Sequence, residues 1–147
     1  MQETKWLRIS LRYAAPLVWM AVISLGSTTL FSPERPGSLL LMSLVRWLLP
    51  EAGPATAALV YGVLRKGIHV AEFAALAWLW YWALPKRRAA GQVSAALAAL
   101  GLAMGFAIMD ELHQAFVPGR TATPVDVGWD SLGAALALAT AWVGSRK

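Results

Sequence analysis

The sequence predicts an all-α, polytopic membrane protein with about four transmembrane helices and one interfacial or re-entrant helical segment between the first and the second. Two observations lead to this fold class. Of the 147 residues, 58% are apolar and only 14% are charged, which is unusually apolar for a soluble domain of this size. The apolar residues also form long runs, and a helix needs a run of roughly 17 to 25 residues to cross the hydrocarbon core of a bilayer. We expect one membrane domain over residues 1–147.

Four runs are the expected spans, near residues 13–31, 67–85, 89–109 and 126–145. The first and third contain no charged residue, and the second is interrupted only by His69 and Glu72. The fourth is long enough only if it begins near Asp126, which places Asp126 and Asp130 at a membrane surface.

Residues 38–64 lie between the first two spans and are mostly apolar. Pro36 and Pro50 confine the first piece to about three helical turns, which suits a re-entrant or interfacial helix better than a span. Residues 55–64 are either a second such piece or the beginning of the next helix. If both pieces crossed the bilayer, two spans would be added without changing the side of the termini.

Basic residues predict the orientation of the spans. They precede the first span, fill the turn between the second and third, and follow the fourth; they are Lys5, Arg8, Arg12, Lys86, Arg87, Arg88, Arg146 and Lys147. Because short cytoplasmic segments are enriched in lysine and arginine, we expect both termini in the cytoplasm. The net charge of +5 then reflects membrane orientation and gives no reason to expect nucleic-acid binding.

The chain has no cysteine, which excludes disulfides and thiolate chemistry. It also has no HExxH or comparable metal-ligand spacing. The sequence therefore predicts neither a metal site nor a cofactor, and it leaves oligomerisation open.

The most informative stretch is residues 110–130, DELHQAFVPGRTATPVDVGWD, which places charged residues between two apolar runs. Ionisable side chains at the ends of membrane helices are functional candidates by default, because each costs free energy unless it is paired, hydrated or used. Asp110, His113 and Gln114 can share one stripe of the third span. Asp126 and Asp130 share a face at the start of the fourth.

Lys66, His69 and Glu72 form a further stripe on the second span, in its outer part. Three helices thus bring polar groups to one side of the membrane, where we expect a single pocket. The predicted ligand-binding residues are Lys66, His69, Glu72, Asp110, Glu111, Gln114, Arg120, Asp126 and Asp130. Candidates for acid or base catalysis are Asp110, Glu111, His113 and His69, and no catalytic residue is assigned among them.

The segment KGIHVAEF (residues 66–73), followed by DELHQAFVPGRTATPVDVGWDSLGA (residues 110–134), resembles the VanZ-like family of bacterial membrane proteins, which is named for a member linked to teicoplanin resistance. The resemblance implies a multi-pass protein of the bacterial cytoplasmic membrane with a role in the cell envelope. It also carries over Pro118, Gly133 and the nine predicted ligand-binding residues. One position departs from the family pattern, in which Asn is more common where this chain has Asp130. The added charge favours a cationic ligand or a closer tie to Arg120.

Several of these residues also have a purely structural interpretation. Arg120 could pair with Asp126 or Glu111 and fix the outer loop. His69 and Glu72 could form a hydrogen-bonded pair, and Lys66 could extend to lipid phosphates. Small residues permit close contact between helices; they are Gly101, Gly105, Gly133, Ala134, Ala137 and Ala141. The aromatic residues near the end of the second span are typical of a belt at the membrane–water interface; they are Trp78, Trp80, Tyr81 and Trp82.

Three classes of function remain open. The first is a membrane protein whose outward-facing pocket binds a lipid headgroup, a lipid-linked wall precursor or an amphiphilic glycopeptide, and so lowers teicoplanin-type susceptibility; the family resemblance favours it. The second is an enzyme that modifies a lipid or wall precursor at the outer leaflet by acid/base chemistry. The third is a small transporter, which is disfavoured because the ionisable residues cluster at one membrane face.

Overall fold

The computed structural model of this chain is all-helical over the residues that it describes. These are residues 2–28, 36–86, 89–118, 120 and 122–144, with side chains described from residue 11 onward except at 89 and 90. Within them lie five helices: α1 (Gln2–Ser27), α2 (Pro36–Leu48), α3 (Pro54–Ala83), α4 (Ala89–Ala115) and α5 (Pro124–Gly144). The predicted all-α class is confirmed. The side chains of Lys5, Arg8, Arg87, Arg88, Arg146 and Lys147, on which the predicted orientation partly rests, lie outside the described residues.

Proline sets most of the helix starts. Pro36, Pro54 and Pro124 are the first residues of α2, α3 and α5, a position where the missing N–H costs nothing and the fixed φ suits a helix. α4 continues past the apolar run that ends at Met109 and reaches Ala115. The helix therefore includes the polar residues that follow Met109. It ends shortly before Pro118, because proline disfavours helical geometry in the residue that precedes it.

The structure resolves the two alternatives for residues 55–64. They are continuous with the predicted second span, so that α3 is a single helix of 30 residues, about 45 Å long. α2 is a separate helix of 13 residues. Of the two alternatives for residues 55–64, the structure shows the beginning of the next helix.

Contacts along the helices fix their relative directions. Tyr13, in the middle of α1, has its ring 6.2 Å from that of Trp80, near the end of α3. Trp19, further along α1, bonds Glu72, which lies earlier in α3, so these two helices run antiparallel. Lys66 and His69 of α3 meet Asp126 and Asp130 of α5 in the same order along both helices, so α3 and α5 run parallel. Ser27, at the end of α1, bonds Asp110 near the end of α4, so these two helices also run parallel. Consecutive long helices therefore alternate in direction.

The most extensive helix contact among the described residues is that between α3 and α5. Gly133 of α5 lies so near α3 that an added Cβ would be 2.5 Å from the Val70 carbonyl oxygen. Ala134 and Ala141 are buried in a core cluster formed by α3, α4 and α5. Gly101 and Gly105 are different, because a Cβ at either position would have no atom within 4 Å. α4 instead packs through a stripe of buried alanines, Ala95, Ala99 and Ala103.

The apolar core lies directly beneath the polar residues. Ile23, Phe73, Leu76 and Phe106 are buried there, one from α1, two from α3 and one from α4. Among the described residues, one helical stretch, Gly91–Ala115, is long and apolar enough on its own to cross a bilayer. α3 carries the polar and charged residues Arg65, Lys66, His69 and Glu72 within its length.

Candidate functional site

The structure brings the nine predicted ligand-binding residues to one end of the bundle. They form a polar cluster together with Ser27, whose inclusion the sequence did not predict. Its members come from α1, α3, α4, the segment before α5, and α5 itself. Asp110, Glu111, Gln114 and Asp130 are buried, so much of the cluster is shielded from solvent.

Two charge contacts connect α3 with α5. The Lys66 ammonium pairs with the Asp126 carboxylate at an exposed position. Nδ1 of His69 lies 3.7 Å from Oδ2 of Asp130, and the Asp130 side chain is only 5% exposed. Lys66 thus has a protein partner in addition to any lipid contact. The proposed pairing of His69 with Glu72 is not found, because Asp130 is the carboxylate that His69 faces.

A buried hydrogen-bond network connects α1 with α4. The Ser27 hydroxyl donates to Oδ2 of Asp110 at 2.7 Å, and Nε2 of Gln114 donates to the same oxygen at 2.9 Å. The other oxygen, Oδ1 of Asp110, is buried without a hydrogen-bond partner in the described part of the chain. The two donors are neutral, so the carboxylate gains hydrogen bonds there without a counter-charge.

Glu111 connects α4 with the segment that precedes α5. Its Oε1 accepts a hydrogen bond from the backbone N–H of Thr123. Thr123 in turn bonds the backbone N–H of Asp126 through its hydroxyl, at 3.3 Å, and so caps the first turn of α5. Glu111 therefore helps to fix where α5 begins.

Arg120 reaches the end of α1. Its Nη2 donates to the carbonyl oxygens of Gly26 at 3.0 Å and Thr28 at 3.4 Å. Carbonyls at a helix C-terminus lack partners within the helix and carry partial negative charge, which suits a guanidinium. Among the described residues Arg120 makes no ion pair with Asp126, Glu111 or Asp130.

Glu72 is held through its backbone, whose carbonyl accepts a hydrogen bond of 2.9 Å from the indole N–H of Trp19. Within the described part of the chain its carboxylate has no hydrogen-bond or ion-pair partner, although His69, Asp110 and Asp130 are its electrostatic neighbours. Glu72 is thus a half-buried carboxylate available to a ligand.

Two small cavities flank His69. The first, which we call the acidic cleft, measures about 40 Å³ and is lined by Arg65, Lys66, His69, Glu111, Gln114, Asp126, Trp129 and Asp130. The second, which we call the arginine cavity, measures about 30 Å³ and is lined by Gly26, Leu41, Arg65, Ile68, His69, Glu72 and Arg120. Arg65 and His69, one helical turn apart on α3, line both.

Sequence reasoning missed two members of this site. Arg65 lies four residues before His69, and that spacing alone was enough to place both on one helix face. Ser27 is an isolated serine near the end of an apolar run, and only the packing of α1 on α4 reveals its role. His113, in contrast, is exposed and lines neither cavity.

The aromatic residues near the end of α3 occupy varied environments. Tyr81 is buried, whereas Trp78 and Trp82 are exposed, and the Lys86 ammonium lies 3.7 Å from the centre of the Tyr81 ring. The exposed tryptophans suit an interfacial belt, whereas Tyr81 belongs to the packed core.

The chemistry available at the polar cluster and the neighbouring Arg65 is that of carboxylates, one imidazole and three cationic side chains, Arg65, Lys66 and Arg120. Among the described residues, no group of three or more His, Asp or Glu side chains is placed to hold a metal ion. Ser27 is 1% exposed, so it serves as a buried hydrogen-bond donor. The cluster is therefore suited to bind a charged polar group and to move protons.

Comparison with known proteins found one family. Neither curated proteins nor solved structures gave a match, whereas the family model described as VanZ/LLP1 matches residues 11–144. That range covers nearly the whole chain and contains every residue of the polar cluster. The chain therefore belongs to the VanZ/LLP1 family.

Proposed function

We propose that this protein spans the bacterial cytoplasmic membrane with α1, α3, α4 and α5, with both termini in the cytoplasm, and binds the polar head of an amphiphile in the acidic cleft at the outer face. The alternating directions of the four long helices support this topology, since each crossing must reverse the last. Arg12 and Lys86 lie at the end of the bundle away from the cluster, which agrees with a cytoplasmic position for basic residues.

The distribution of large apolar side chains supports a lipid environment. Leu17, Leu59, Leu97 and Leu136, on four different helices, are between 53% and 68% exposed. A soluble protein rarely leaves so many large apolar side chains exposed to water. In a bilayer these side chains would face lipid.

α2 has the features of an interfacial helix. Its 13 residues are too few to cross the hydrocarbon core. Leu40 and Trp47 are more than 70% exposed, while Val45 is fully buried. A helix with one protein-facing side and one apolar exposed side suits the headgroup boundary, beside the polar cluster.

The observation that carries the binding proposal is the mixture of charges around the acidic cleft. Arg65, Lys66 and His69 of α3 share its wall with Glu111, Asp126 and Asp130. A stable bundle needs no such concentration of ionisable groups, because each costs free energy in a membrane. A headgroup that carries an amine and an anion would match charges of both signs.

Three ligands have this chemistry: a zwitterionic lipid headgroup, a lipid-linked wall precursor, and an amphiphilic glycopeptide of the teicoplanin type. Binding any of them at the outer surface would change how such an antibiotic reaches its target. We therefore expect expression of the protein to reduce glycopeptide susceptibility.

A membrane enzyme is the second candidate, and His69 favours it. This imidazole faces the Asp130 carboxylate at 3.7 Å and lines both cavities, where it could exchange protons with a bound lipid or wall precursor. Mass spectrometry of lipids and wall precursors from cells with and without the protein separates the candidates, since only an enzyme creates or depletes a species.

The test uses Glu111→Gln and Asp130→Asn, which remove cleft charges with little change in size. Glu51→Gln is the matched control, because Glu51 is exposed and lies outside the cleft. We expect both cleft variants to insert normally but no longer to retain ethanolamine phospholipid. Cells that express them should be as susceptible to the glycopeptide as cells without the protein, whereas the control variant should behave like the parent protein. Cleft variants that insert and behave like the parent protein would disprove the proposal.

A further inference from the structure

Arg120 has more hydrogen-bonding capacity than its protein contacts use. Nη2 serves the α1 carbonyls, but Nε and Nη1 are buried and have no acceptor in the described part of the chain. Buried donors without partners are unfavourable, and those of a charged group especially so. Two guanidinium nitrogens without acceptors in the described part of the chain point to an acceptor supplied from outside it.

The surroundings of Arg120 indicate the sign of that ligand. Arg120 lines the arginine cavity together with Arg65 and His69. Arg65 makes no ion pair among the described residues, and neither does Arg120. Glu72, also in the wall, is the one acid among the described residues that line this cavity. Two unpaired guanidinium groups around one space favour an anion, and their planar forks match the oxygens of a phosphate.

The position of the cavity indicates where such an anion comes from. Its lining includes Leu41 of the short helix α2 and the exposed Ile68 of α3. Apolar side chains beside two guanidinium groups suit a phosphate attached to acyl chains. Arg65 is half-buried, so one of these guanidinium groups is partly accessible from solvent.

From these features we infer that the arginine cavity is an anion site that binds the phosphate group of an amphiphile, with Arg120 and Arg65 as its ligating residues. This inference rests on the proposed function in one respect only. It takes the phosphate in the arginine cavity and the polar group in the acidic cleft to belong to the same ligand. His69 lies between the two cavities, which are close enough for a single headgroup to reach both.

The experiment compares phosphatidic acid with diacylglycerol of the same acyl chains by native mass spectrometry of the full-length, detergent-solubilised protein. Inorganic phosphate is titrated separately as the free anion. Arg65→Gln is the deciding variant, because Arg120→Gln also removes the contacts to α1. Arg46→Gln, at an exposed position on α2 outside the cavity, is the control for a lost positive charge.

We expect the parent protein and Arg46→Gln to retain phosphatidic acid in preference to diacylglycerol. Arg65→Gln should weaken that retention by about tenfold or more, because it loses a charge-assisted hydrogen bond. Retention of the lipid identifies a lipid phosphate as the ligand. Binding of inorganic phosphate alone, if sensitive to Arg65→Gln, supports the anion site with a free anion as its ligand.

Two results would overturn the inference: equal retention of the two lipids together with no phosphate binding, or an Arg65→Gln variant that binds like the parent. The proposed function fails separately. If Glu111→Gln and Asp130→Asn bind amphiphile normally while Arg65→Gln loses phosphate, the acidic cleft is not the binding site and the anion site stands.

Discussion

The Ser27 hydroxyl of α1 donates a hydrogen bond of 2.7 Å to the Asp110 carboxylate of α4, across 83 positions of the chain. Both side chains are buried. The bond fixes the end of α1 against the end of α4, and Gln114 completes the network from one turn further along α4. The first helix therefore takes part in the site, although it contributes no charge to it.

Replacing Ser27 by alanine should destabilise the folded protein by about 1 to 3 kcal/mol, because a buried carboxylate loses one of its two donors. Thermal unfolding of the solubilised protein measures the change. Ser43→Ala is the control, since the Ser43 hydroxyl bonds a carbonyl of its own helix at an exposed position. Equal stability of the two variants would show that the Ser27 bond contributes nothing.

Gly133→Ala should separate α5 from α3. The new methyl group would lie 2.5 Å from the Val70 carbonyl oxygen, and forced separation of packed elements costs about 1 to 3 kcal/mol. Gly105→Ala introduces the same methyl group where nothing lies within 4 Å, so its stability should equal or exceed that of the parent. Denaturation by SDS compares the two variants, and a neutral Gly133→Ala would contradict the close approach of these helices.

The pair formed by Lys66 and Asp126 should contribute little to stability. Its side chains are 55% and 30% exposed, and exposed ion pairs typically stabilise by about 0 to 1 kcal/mol. A double-mutant cycle with Lys66→Gln and Asp126→Asn measures the coupling. A coupling of several kcal/mol would mean that the pair is desolvated in the membrane.

The absence of cysteine in the sequence permits a clean test of topology. Ala122→Cys lies before α5 and Gly144→Cys at its end, both at exposed positions. With both termini in the cytoplasm, a membrane-impermeant maleimide should label position 122 in intact cells and position 144 only after the membrane is opened. The reverse pattern would invert the orientation, and labelling of both in intact cells would exclude a spanning α5.

Lys86, in the turn after α3, should react with amine reagents more readily than an ordinary lysine. Burial of its ammonium, followed by the nearby positive charge of Arg12, lowers the pKa of Lys86. A lower pKa leaves more neutral, nucleophilic amine at a given pH. Arg12→Gln should raise the pKa of Lys86 and slow its acetylation near pH 9, as followed by mass spectrometry of the modified peptide. Arg46→Gln should leave the rate unchanged, and equal rates in both variants would contradict the electrostatic effect of Arg12.

The helices and most of the polar cluster were predictable, because each depends on local pattern. Apolar runs located the long helices, and helical spacing placed Lys66, His69 and Glu72 on one face. The partners within the cluster were not predictable in the same way. Asp130, rather than Glu72, faces His69 because α5 packs parallel to α3, and that register depends on the close contact at Gly133.

Arg120 illustrates a second limit of sequence reasoning. Acidic residues nearby in the chain suggested a salt bridge, but its partners are backbone carbonyls at the end of α1. Every residue has a backbone carbonyl, so the sequence does not show which carbonyls will accept a hydrogen bond from a side chain. The GxxxG motif failed for the opposite reason: Gly101 and Gly105 match the pattern, yet the packed face of α4 is its alanine stripe.

The counter-charges of α3 come from α5, and Lys66 and Asp126 are 60 residues apart in the chain. Because the ribosome makes α3 first, Lys66 and His69 lack these partners until α5 has been synthesised and has packed beside them. The charge contacts of the site therefore cannot form before α5 has been made. A shortened chain that ends before residue 126 would lack both contacts.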